Sequence, residues 1–150
     1  MGQRPNVIVN RKKKMKARLP EERKVNIQML SFNDGQRLTT ALKGWVAPAA
    51  EGFLLRYADP QMDGVETALR YDGTRLHLSR NDGTRLTFEK DLPTAGVYCL
   101  PYGNFEAEVK TSALTCKRSE KRAEIALCYT LTMGGQDFSC KMKISAEDEE

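Results

Sequence analysis

The chain has 150 residues, 40% of them hydrophobic and 29% charged, with 24 Lys and Arg against 20 Asp and Glu. That length builds one domain with a real core and leaves no room for a separate cofactor domain. No apolar run approaches the roughly 18 residues of a membrane helix, and the charged N-terminus lacks the apolar stretch of a secretory signal.

The net charge of +4 is uneven along the chain. Residues 1–24 carry nine basic and two acidic side chains, and the remainder carries 15 basic and 18 acidic. Residues 1–24 therefore read as a basic arm that stays flexible unless a partner orders it. An acidic partner or nucleic acid would suit such an arm. It holds no Phe, Tyr or Trp to stack on bases, however. Met15 is a second possible start, which would remove most of the basic block. Residues 147–150 form an acidic tail, Glu147-Asp148-Glu149-Glu150, and residues 25–146 form the single domain between.

From Val25 onward the period is two. Val25, Ile27 and Met29 alternate with polar residues, then Leu38, Thr40 and Leu42, then Phe53, Leu55 and Tyr57. Thr67, Leu69 and Tyr71 follow, then Leu76 and Leu78, then Leu86 and Phe88. Phe105, Ala107 and Val109 continue the pattern. Ile125 to Leu131 and Phe138 to Ile144 complete it. Alternation of this kind marks half-buried strands, and no stretch sustains a helical period. About eight to ten short strands with dense turn signals predict an all-β, antiparallel up-and-down barrel.

Turns set the registers. Gly134-Gly135 suits a two-residue loop with positive φ at both positions, pairing Leu131 with Phe138 and Tyr129 with Cys140. A repeat, Asp72-Gly73-Thr74-Arg75-Leu76 and Asp82-Gly83-Thr84-Arg85-Leu86, marks a β-meander. Asp72-Gly73 as a tight turn pairs Leu69 with Leu76 and Thr67 with Leu78. Asn81-Asp82-Gly83 as a three-residue loop pairs Leu78 with Leu86 and Leu76 with Phe88. A Ser119-Glu120 turn pairs Leu114 with Ile125 and Cys116 with Ala123. The change of parity between Val109 and Leu114 calls for a β-bulge near residues 111–113.

Arg80 continues the inward series of Leu76 and Leu78. It is either an internal guanidinium that receives a carboxylate or phosphate, or a strand-end arginine that reaches solvent or pairs with Asp63 or Asp82. Tyr57 and Tyr129 share the inward parity and could join Arg80 as a polar spot in an apolar cavity. Otherwise they are core residues with hydroxyls at the barrel mouth. His77, the only histidine, faces outward by parity. No nucleophile elbow, phosphate loop, dinucleotide fingerprint or zinc-protease motif is present, so no catalytic residue, metal or cofactor is expected. Cysteines 99, 116, 128 and 140 lack metal-ligand spacing and read as reduced thiols.

The order of these features resembles a YwiB-like family of small Gram-positive proteins. It is carried by Tyr57 with Asp59, Leu76 to Arg80 followed by Gly83, Tyr98 with Tyr102-Gly103, then Thr111, Tyr129 and Leu131. The resemblance spans residues 25–145. That family more often has Glu where Asp59 stands, and the basic arm is unusual for it. The resemblance implies a calycin-like (lipocalin-like) β-barrel in the cytoplasm of a bacterium, and brings no activity.

Two functional readings follow. One is a non-enzymatic barrel that binds a small amphipathic or anionic ligand inside, with Arg80, Tyr57 and Tyr129 as its polar groups. The other is an interaction module with a packed barrel whose arm docks on an acidic partner or nucleic acid. An internal void with Arg80 at its wall favours the first.

Overall fold

Alternation becomes a ladder when each strand finds its sequence neighbour. The structure, a computed structural model, describes residues 21–59 and 63–149. It contains β1 (Arg23–Asn33), β2 (Gln36–Ala49), β3 (Gly52–Asp59), β4 (Val65–Tyr71) and β5 (Leu76–Arg80). β6 (Arg85–Phe88), β7 (Pro93–Leu100), β8 (Gly103–Arg118), β9 (Arg122–Met133) and β10 (Gln136–Asp148) follow. Each pairs antiparallel with the next, and β1 with β10 closes the barrel. This is the all-β up-and-down barrel that the period predicts. Closure gives every strand a neighbour on both sides.

The β9–β10 hairpin has the expected register: Leu131 faces Phe138, Tyr129 faces Cys140, Leu127 faces Met142 and Ile125 faces Ile144. Gly134 and Gly135 have φ of 57° and 79°, as the tight turn requires. The β-bulge also falls where parity places it, between Thr111 and Ala113.

Two other turns are longer than expected. Leu69 faces Leu78 and Tyr71 faces Leu76, so Asp72 to Arg75 all lie in the β4–β5 loop. The Asp72 carboxylate holds it open, accepting the Thr74 and Arg75 N–H groups at 3.0 and 2.8 Å. Likewise Cys116 faces Ile125 and Leu114 faces Leu127, with Ser119 N–H bonded to the Arg122 carbonyl. Each slip is two residues, which preserves parity, so the same side chains stay inside. The β5–β6 turn keeps the expected pairs, Leu78 with Leu86 and Leu76 with Phe88.

β7 carries no apolar alternation, which is why periodicity alone passes over it. Its place comes from the ladder with β8, eight pairs from Pro93↔Lys110 to Leu100↔Gly103. Leu38 has inward parity but is 46% exposed, because residues 36–43 of β2 pair only with β1.

The barrel also reaches further at both ends than residues 25–146. Arg23 and Lys24 lie in β1, and Glu147 and Asp148 lie in β10. Glu22 grips Arg56 with both oxygens, at 2.7 and 2.9 Å, and Arg23 reaches Asp148 at 3.2 Å. The first twenty residues of the expected arm lie outside the described residues.

One half of the interior is solid. Val25, Ile27, Val46, Phe53, Leu55, Leu69, Leu76, Phe88, Ile125 and Ile144 are essentially buried. Burying a side chain of this size stabilises by roughly 1.5–3 kcal/mol, so this half supplies most of the hydrophobic stabilisation. The other half is where the odd-numbered strands end.

Candidate functional site

In an up-and-down barrel the ends of β1, β3, β5, β7 and β9 share one rim. The inward residues towards that rim include polar and aromatic ones: Tyr57 and Asp59 on β3, Arg80 on β5, Tyr98 on β7 and Tyr129 on β9. They surround a cavity of about 480 Å³. Met29, Leu78, Leu86, Leu131, Phe138 and Met142 supply its apolar wall. Size and lining match those of small-molecule sites, apolar with a few convergent polar groups. Arg80, Tyr57 and Tyr129, read from parity as one cluster, do line one space.

Arg80 is half-buried, and its Nε and Nη1 are shielded from solvent with no hydrogen-bond acceptor. Its guanidinium carbon lies 5.7 Å from the Tyr98 ring centre, within cation–π range. The backbone N–H of Arg80 is bonded to the Thr84 carbonyl, which fixes the strand end. Two expectations about its neighbours need correction. The Thr67–Leu78 pairing expected from the turn would set Arg80 opposite Val65, but Arg80 faces Thr67, because of the two-residue slip of the β4–β5 loop. Neither Asp63 nor Asp82 hydrogen-bonds Nε or Nη1. Asp82 Oδ1 instead accepts the Thr84 N–H at 3.0 Å. The acids that share the cavity are Asp59 and Asp34, and Lys141 lines it too.

Tyr57 is 6% exposed. Burial pushes its phenol well above the usual range, Asp59 adds to the rise, and Arg80 pulls it back. Tyr129 stacks at a tilt on Phe88, with ring centres 4.7 Å apart. Burial raises its phenol too, followed by the neighbouring Cys140 thiol, while Arg80 opposes. Both hydroxyls are therefore neutral donors at any ordinary pH. Thr67, between Tyr57 and Arg80 in the ladder, is 1% exposed, and its hydroxyl also has no partner.

His77 faces outward, as its parity requires. Its Nε2 lies 3.1 Å from Asp72 and its Nδ1 3.3 Å from Thr87 Oγ1, so it has no part in the cavity. All four cysteines are free thiols. Cys140 lines the cavity, and burial raises its thiol above the ordinary value. Asp59 was missed as a site residue, although it shares the parity of Phe53, Leu55 and Tyr57, a signal that could have found it. Tyr98 was missed too, because β7 has no alternation to orient it. No helix of the described residues is long and apolar enough to cross a membrane.

Comparison with known proteins agrees with this architecture. Residues 24–144 match a family described as a domain of unknown function, DUF1934. The crystal structure of the ywiB protein from Bacillus subtilis superposes with a TM-score of 0.76 at 18% identity, over 87% of this chain and 94% of that one. At that identity the likeness speaks for the fold alone. No curated protein matches the sequence. With four-fifths of its length on the family pattern and the barrel closed in the same way, the chain belongs to the YwiB-like DUF1934 family.

Proposed function

We propose that this barrel is a non-enzymatic binding protein that takes a small amphipathic molecule with an anionic head into its rim cavity. Arg80 receives the head, and Tyr57 and Tyr129 flank it. The observation that carries this reading is the guanidinium: two of its nitrogens are buried without an acceptor at the wall of an open space. A charged group so placed costs several kcal/mol unless something neutralises it. The phenols are held neutral, and the lone histidine is outside. The packed interaction module is the weaker reading, since side chains that filled the barrel would leave no such volume.

The test uses two dyes with the same ring system, anilinonaphthalene sulfonate and its uncharged parent phenylnaphthylamine. The expected result is that the sulfonate binds more tightly in a fluorescence titration. Arg80→Met should weaken it by about tenfold or more, the equivalent of a charge-assisted hydrogen bond, and leave the uncharged dye unchanged. Sulfonate affinity that does not respond to Arg80→Met overturns the proposal.

A further inference from the structure

We infer that Thr67 forms the floor of the anion site, and that the site is built for a singly charged carboxylate on a single apolar chain. This deepens the binding reading above and rests on it. Tyr57, Thr67 and Arg80 face one another in turn across β3, β4 and β5. Neighbouring strands lie about 4.8 Å apart, so phenol, hydroxyl and guanidinium stand in one inward row.

The row holds three buried polar atoms without a partner: Thr67 Oγ1 and Arg80 Nε and Nη1. One orphan would be a local misfit. Three on adjacent strands, all able to donate, point to an acceptor that they share, because a buried unpaired donor carries a desolvation cost that natural interiors rarely leave standing. The acceptor would enter between Tyr57 and Arg80, which both line the cavity, and reach Thr67, which stands between them in the ladder.

Asp59 sets the charge. It lies two residues beyond Tyr57 on the same face of β3 and lines the same space. Its charge and that of Arg80 are both felt at the Tyr57 phenol, in opposite senses. Asp34 and Lys141, one of each sign, also line the space and offset each other, so one negative charge can balance Arg80, whereas a second would be repelled by Asp59. That selects a carboxylate over a doubly charged phosphate monoester. Leu78, Leu86, Leu131 and Met142 on the remaining wall suit an aliphatic chain. The volume of about 480 Å³ suits one chain and not a two-chain lipid.

Calorimetric titration of the full chain with laurate, dodecanol and dodecyl phosphate, at a pH where the phosphate is doubly charged, tests this. Laurate should bind more tightly than the other two. Thr67→Val keeps the shape and removes the hydroxyl. It should weaken laurate by about tenfold, affect dodecanol much less, and leave the ligand-free melting temperature unchanged or higher. If Thr67→Val spares laurate while Arg80→Met weakens it, the Thr67 floor is overturned and the binding reading stands. If neither variant affects laurate, both fall. Dodecyl phosphate bound as tightly as laurate overturns the carboxylate assignment. Should Thr67→Val not fold, Thr67→Ser must retain laurate affinity and Thr67→Ala must lose it, and equal affinities refute the proposal.

Discussion

Burial decides the chemistry of individual side chains here. The Cys116 thiol, on the inner face of β8, is pushed up to about 12 by desolvation alone. The Tyr57 and Tyr129 phenols are raised for the same first reason. In each case burial disfavours the charged form, so the folded protein keeps a proton that the unfolded chain releases at ordinary values. Stability is then unaffected below the unfolded thiol value near 9 and falls as pH rises from there towards about 12. Urea unfolding across that window should show a midpoint that declines with pH, and Cys116→Ala should flatten the first part of the decline. The same thiol should resist iodoacetamide at neutral pH until the protein is unfolded, since only the thiolate reacts. Rapid alkylation of Cys116 in the folded protein, located by peptide mapping, would contradict the burial.

Among the elements, β2 shows how a strand bends around the ring. Gly44 is buried opposite Tyr57, and a Cβ there would run into the Arg56 carbonyl and the Ile27 Cδ1. Backbone cannot move aside inside a ladder, so Gly44→Ala should cost on the order of 2–3 kcal/mol. Gly134 differs: a Cβ meets nothing, and only its positive φ resists substitution. Gly134→Ala should therefore cost about 1 kcal/mol, and Gly134→Asn less. Chemical denaturation of the three variants checks the ranking. An equal loss for Gly44→Ala and Gly134→Ala would show that β2 can relax where it is drawn tight.

At the scale of the whole molecule the two halves of the barrel do different work. The half with Phe53, Leu76 and Phe88 is filled, and the rim half holds the cavity and its polar groups. Ion pairs tie the termini to the filled half. The Glu22 side chain is fully buried against Arg56, which is itself only 20% exposed, and Arg23 holds Asp148. Removing one partner of a buried pair strands the other charge, at a cost on the order of 3 kcal/mol. A chain starting at Val25 should therefore melt several degrees lower than one starting at Glu21. Thermal melts of both decide where the barrel begins. Equal melting temperatures would show that the Glu22 and Arg23 contacts add nothing.

What the amino-acid order determined was facing. Period two is a property of the extended backbone itself, so Arg80, Tyr57 and Tyr129 were legible as inward residues before any strand had a partner. It survived two misread loops because each slip was by two residues, which changes the neighbour and not the face. What only the tertiary structure decided was adjacency. Thr67 meets Arg80 because the Asp72 carboxylate opens the β4–β5 loop by side-chain contacts that spacing does not report. Tyr98 comes under the guanidinium because β8 gives β7 its place. The cavity exists because β1 and β10, more than 100 residues apart, pair and close the ring. Facing is encoded in each strand, whereas neighbours and empty space depend on a ladder between strands that share no sequence signal.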